Sequence, residues 1–165
     1  MKKQTYFLAY KQYKNPVEGD IIEHAGRMYG IHKNTNEWIV TDIKTGLGMN
    51  RGQYKTKKQA IEYTNNIDID MNAPFVKQAE KAFEELPEYD EHTVYFDTNE
   101  IRNNETSYHT GRYKNFIFEI TVSCDETINN GMEIDYFKSK NEDDFTEEDI
   151  EYIANMSIKN RCKVA

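Results

Sequence analysis

The stretch TGLGMNRGQYKTKKQAIEYT, Thr45 to Thr64, decides how the first part of this chain is to be read. Its three glycines, with Arg51, Lys55, Lys57 and Lys58, suggest a loop that grips phosphate. Neither GxxxxGK[ST] nor GxGxxG is present, so a nucleotide-phosphate loop has no support. Gly46, Gly48 and Gly52 fall in turns and around the short strand LGMN, where glycine is ordinary. Thr56 with Gln59 three residues later is a capping box and predicts a helix starting there. Ala60, Ile61, Thr64 and Ile67 form its inward stripe. The stretch closes a small sheet onto a helix.

Upstream the chain reads as that sheet. TYFLAYKQY is rich in aromatic and β-compatible residues, and DIIEH and RMYGIHK flank a hairpin signal at Ala25-Gly26. EWIVTDI places Trp38, Val40 and Asp42 on one face and Ile39, Thr41 and Ile43 on the other. Downstream, IDIDMNAP reads as a hinge between a basic unit, 1–67, and an acidic unit, 68–165. Asp68, Asp70 and Asn72 imitate the start of a calcium loop. Ala73 and Ala79 stand where that loop requires glycine and glutamate, so turn and cap duty is the better reading. APFVKQAEKAFEELP is a helix with Pro74 in its first turn, Pro87 beyond its end and Val76, Ala79, Phe83 and Leu86 as its buried stripe.

The acidic unit returns to strands. TVYFD alternates, SYHTGRY reads as a loop, and RYKNFIFEITVS reads as one strand with Phe116, Phe118, Ile120 and Val122 on one face. Asn129-Asn130-Gly131 is a turn, after which MEIDYF returns with Met132, Ile134 and Tyr136 sharing a face. The final helix, FTEEDIEYIANMSIKN, has Thr146 as N-cap, Asp149 three residues on and Phe145 stapled to Ile150. Ile150, Ile153, Ala154 and Ser157 face inward. The expected class is α+β, with two antiparallel sheet units each packed with helices.

Composition bounds the function. The 165 residues are 38% hydrophobic and 13% aromatic, enough for one ordinary domain or two very small ones. Residues 1–66 hold 11 Lys+Arg against 6 Asp+Glu, a net of +5, and residues 67–165 hold 10 against 23, a net of −13. Such asymmetry points to charged partners. No stretch approaches the roughly 20 apolar residues of a membrane span. The expectation is a soluble cytosolic protein, with Cys124 and Cys162 reduced. The four histidines show no metal-ligand spacing, and neither Ser107 nor either cysteine stands in a nucleophile motif. The chain is read as non-enzymatic, with no metal and no cofactor.

Two charged clusters remain. Glu142, Asp143, Asp144, Glu147, Glu148 and Asp149 surround the start of the last helix. They either complement its dipole or present a phosphate-like array to a basic partner. Arg51, Lys55, Lys57 and Lys58 either form a solvated helix start or contact nucleic-acid phosphates; lysines there are mildly unfavourable for the dipole.

From Trp38 to Thr64, the pattern EWIVTDIKTGLGMN followed by TKKQAIEY resembles a sheet-then-helix cassette of accessory proteins from phages and mobile elements of AT-rich Gram-positive bacteria. It is similar in outline to the arm-binding domains of tyrosine integrases, and TKKQA resembles the helix starts of double-stranded-RNA-binding domains. The phage context implies anti-defence roles, anti-CRISPR proteins among them. The implied partner is a basic host protein, an RNA-guided CRISPR nuclease being the most specific candidate. The alternative is a nucleic-acid-binding accessory protein acting through the basic half.

Overall fold

The computed structural model describes residues 3–49, 54–124, 131–140 and 142–164, with the backbone alone at 142 and 162–164. The architecture is α+β, with one five-stranded and one four-stranded antiparallel sheet. The chain divides into two compact units, Met1–Tyr89 and Asp90–Ala165.

The first unit is a meander of β1 (Gln4–Ala9), β2 (Lys14–His24), β3 (Arg27–Asn34), β4 (Glu37–Asp42) and β5 (Leu47–Gly48). The first part of β2 pairs with β1 and the second part with β3, so the sheet curls. The Ala9 amide donates to the Gly46 carbonyl at 2.8 Å and brings the end of β1 against the turn before β5. Gly30 lets the Tyr6 ring lie on the sheet, since a Cβ there would come within 2.2 Å of that ring. Helix α1 (Lys57–Thr64) starts at the Thr56–Gln59 capping box. It covers the face whose core is Tyr29, Ile31, Val40, Ala60 and Ile67.

The β2–β3 hairpin turns through Ala25 (φ 49°) and Gly26 (φ 75°), the two left-handed residues of a type I′ turn. A left-handed backbone costs an ordinary L-residue about 1–2 kcal/mol, and Asn-Gly is the favoured pair. Ala25→Asn is therefore expected to raise the stability of this unit by about 1 kcal/mol. Trp38, the single tryptophan, lies in this unit and reports its urea unfolding by fluorescence. An unchanged or lowered midpoint would contradict the turn assignment.

Helix α2 (Pro74–Glu85) begins with Pro74 and belongs to the first unit. The boundary thus falls at Tyr89–Asp90, not at 67–68, and IDIDMNAP is no hinge. A buried cation explains the attachment. Arg27, 5% exposed, donates from Nε to Asp42 Oδ1 at 2.7 Å and from Nη2 to Oδ2 at 2.6 Å. Its Nη1 reaches across to Glu80 of α2 at 2.6 Å. The chain beyond α2 stays tied as well, since the Lys14 amide donates to Pro87 O and the Tyr89 amide to Lys14 O. Within IDIDMNAP, the Asn72 amide donates to Asp70 Oδ1 at 2.9 Å, a local turn. Of the stripe expected on α2, only Val76 is buried; Ala79, Phe83 and Leu86 are half-buried.

Moving α2 across the boundary redistributes charge. The first unit holds 13 Lys+Arg against 12 Asp+Glu, a net of +1, and the second holds 8 against 17, a net of −9.

The second unit is the meander β6 (Tyr95–Ile101), β7 (Thr106–Tyr113), β8 (Phe116–Cys124) and β9 (Met132–Ser139), packed against α3 (Glu147–Val164). Phe118, Ile120 and Val122 point inward onto Ile153 and Ala154 of α3. Three expectations are corrected. SYHTGRY is strand β7, with Ser107, His109, Gly111 and Tyr113 buried in alternation. RYKNFIFEITVS is not one strand, because Lys114 (φ 49°) and Asn115 (φ 68°) make a second type I′ turn. Tyr136 does not share a face with Ile134, because the register passes from Thr121↔Tyr136 to Val122↔Ile134 and Asp135 is bulged. Phe137 takes the inward place, its ring 5.5 Å from that of Phe145. In β6 a matching shift between Phe96 and Thr98 bulges Asp97, so both edge strands carry a bulge and an aspartate that discourage further pairing. Asn129 and Asn130 of the expected turn lie outside the described residues.

Candidate acidic interface

Helix α3 starts where its residue types require. Thr146 Oγ1 accepts from the Asp149 amide at 3.2 Å, and Asp149 Oδ2 accepts from the Thr146 amide at 3.0 Å, a reciprocal capping box. Phe145 just before it is buried against Phe116 and Phe137 and anchors the helix start in the core. Asp149 Oδ1 also takes the Lys114 ammonium at 2.7 Å. Burial pushes the Asp149 carboxyl up, but Lys114 and the amide and hydroxyl of Thr146 together hold it below the ordinary carboxylate range.

Asp149 is 6% exposed, so it leaves the six-residue acidic set and becomes part of the scaffold. The side chain of Glu142 lies outside the described residues. Asp143, Asp144, Glu147 and Glu148 are exposed, and Glu151, one turn further, is exposed with them. None of these five forms an ion pair with another described residue. Glu147, Glu148 and Glu151 fall within about 6 Å of helix axis, roughly one charge per 2 Å. Duplex DNA carries one per about 1.7 Å.

No protein-family model, curated protein or solved structure matches this chain. What its surfaces can do rests on their own chemistry.

The basic cluster does not converge in the same way. Arg51 lies outside the described residues. Lys57 pairs with the buried Asp20, and its ammonium stands 5.9 Å from the centre of the Trp38 ring, so it is engaged within the fold. Lys55 and Lys58 are exposed. Among the described residues no group of three or more His, Cys, Asp or Glu side chains is placed to hold a metal ion, and no helix is long and apolar enough to cross a membrane.

Sequence reasoning placed Ser107 and His109 in a loop and missed what they build. They sit two apart on the inner face of β7, opposite Asn99 of β6. His109 Nδ1 lies 2.8 Å from Asn99 Oδ1, and Nε2 lies 2.8 Å from Ser107 Oγ. An amide oxygen can only accept, so Nδ1 carries the proton and Nε2 accepts from the serine hydroxyl. Asn160 of α3 donates to the same Asn99 oxygen at 2.5 Å. The order of groups is that of a nucleophile, a base and an orienting residue. Yet Ser107 is fully buried and His109 is 1% exposed, so this hydroxyl meets no substrate. Burial, with Arg161 nearby, pushes the His109 imidazole down to about 4. The network is a neutral strut joining β6, β7 and α3. Its signal in the sequence was the alternation Ser107, His109, Gly111, Tyr113, obscured because three of the inward residues are polar or lack a side chain.

Proposed function

We propose that the protein is a non-enzymatic binding protein that blocks a basic nucleic-acid-binding surface by stoichiometric occlusion. The acidic start of α3 competes there with phosphates. The observation that carries this reading is the group Asp143, Asp144, Glu147, Glu148 and Glu151, exposed and free of ion pairs with other described residues on a unit of net −9. The resemblance of Trp38–Thr64 to phage accessory proteins implies an anti-defence role, with an RNA-guided CRISPR nuclease as the first partner to test. Association of this kind is steered by charge, so it is fast at low salt and weakens as the Debye length falls from about 10 Å at 0.1 M to about 3 Å at 1 M.

The test is the combined variant Asp143→Asn, Glu147→Gln, Glu148→Gln, which leaves the Thr146–Asp149 box intact. It is expected to lose inhibition of the nuclease and most of the salt dependence of binding while melting like the parent. If these carboxylates only serve the helix dipole, each change lowers stability by a few tenths to about 1 kcal/mol and partner affinity stays the same. Unchanged affinity with a lowered melting point ends the mimicry reading. Retardation of duplex DNA or RNA by the parent chain, lost on neutralising Lys55 and Lys58, would favour the nucleic-acid-binding alternative instead.

A further inference from the structure

The first unit leaves an apolar trough open beside α2. Two adjoining hollows of about 150 and 260 Å³ share Thr45, Leu47 and Ala79 as lining. Four exposed large apolar side chains border them: Tyr10, Leu47, Ile69 and Phe75, the last 68% exposed. Single exposed apolar residues are ordinary; four around one trough mark an interaction surface.

The pattern along α2 says what fits. The residues lining the trough include Phe75, Ala79, Ala82 and Leu86, which run large, small, small, large at intervals of four, three and four. The spacing is the same in both directions about the midpoint between Glu80 and Lys81. A second α2 laid antiparallel sets its Phe75 opposite Leu86 and its Ala79 opposite Ala82, and the alanines let the two helices approach closely. The larger hollow lies at the Leu86 end, between Ala82, Leu86, Ala9 and Tyr10, where the incoming phenylalanine arrives. The protruding group and the hollow that receives it are on one patch, which is the requirement for a two-fold contact. Charge does not oppose it, since the first unit is close to neutral at +1.

We infer that the occupant is a second copy of this chain, held in an isologous dimer with each Phe75 seated against Leu86 of the other copy. No residue of this contact lies in the acidic unit, so the inference stands apart from the function proposed above. Sedimentation equilibrium of the full chain from low to high micromolar concentration is expected to show a reversible monomer–dimer equilibrium. Phe75→Glu and, separately, Ala82→Glu should leave monomers with unchanged circular dichroism and melting, because both side chains are exposed. Phe75→Lys and Leu86→Glu copies should each be monomeric alone and dimerise when mixed. A chain that sediments as a monomer throughout overturns the inference. So does a dimer indifferent to both glutamate variants, and failure of the mixture to dimerise overturns the antiparallel pairing.

Discussion

Arg27→Ala is expected to destabilise the first unit by about 3–5 kcal/mol, the range for removing one partner of a buried ion pair. Arg27 and Asp42 are 5% and 2% exposed, and the guanidinium grips both carboxylate oxygens. Without it, Asp42 keeps the Thr45 hydroxyl at 2.7 Å but no counter-charge. Glu80 loses the contact that chiefly holds its carboxyl below the ordinary range, and with it the link from α2 to the sheet. Urea titration followed by Trp38 fluorescence measures the loss. A change below about 1 kcal/mol, the range of exposed pairs, would contradict the account. Replacing both members of the fully buried pair, as in Arg27→Met with Asp42→Leu, should recover much of the stability, because Asp42 no longer leaves a buried unpaired charge and Glu80 keeps Lys77.

The second unit should lose stability in mild acid through His109. Its imidazole titrates near 4 in the folded chain against 6.5 in the unfolded one. Between those values the unfolded chain holds a proton that the folded chain does not. Stability is therefore fully present above about pH 6.5 and declines as pH falls towards 4, after which this contribution is constant. The displacement corresponds to about 3 kcal/mol. Hydrogen exchange of the β7 and β8 amides reads the second unit directly. His109→Gln should flatten the profile between pH 6.5 and 4 while lowering stability at pH 7. A parent profile that is already flat in that window would remove the buried neutral histidine from the account. The depressed carboxyl of Asp149 acts in a different window, its contribution being lost as pH falls below the ordinary carboxylate range.

Much of the fold was legible because local chemistry decided it. The capping boxes at Thr56–Gln59 and Thr146–Asp149, the hairpin at Ala25-Gly26, Pro74 at the start of α2 and the run Phe118, Ile120, Val122 all depend on residues within a few positions of one another. The same locality misled at Lys114-Asn115. A turn of two left-handed residues without glycine broke what read as continuous alternation. At Asp135, a bulge is a property of two strands together and leaves no mark in either alone.

The acidic site was legible as composition only. Seven carboxylates in a ten-residue run are visible to anyone reading Glu142 to Glu151, but which of them reaches solvent is not. Lys114, thirty-five positions away, takes up Asp149, and Asp20 takes up Lys57. The domain boundary shows the same physics on a larger scale. Reading along the chain assigned α2 to the unit that follows it, since charge and composition change there. A buried guanidinium on β3 that reaches Glu80, together with the backbone bonds of Lys14 to Pro87 and Tyr89, ties the helix to the unit before it. Sequence by itself determined which segments are strands and helices wherever neighbouring residues satisfy one another's backbone groups. Tertiary structure alone decided which charges are free, because pairing a buried ion depends on distance in space and not along the chain.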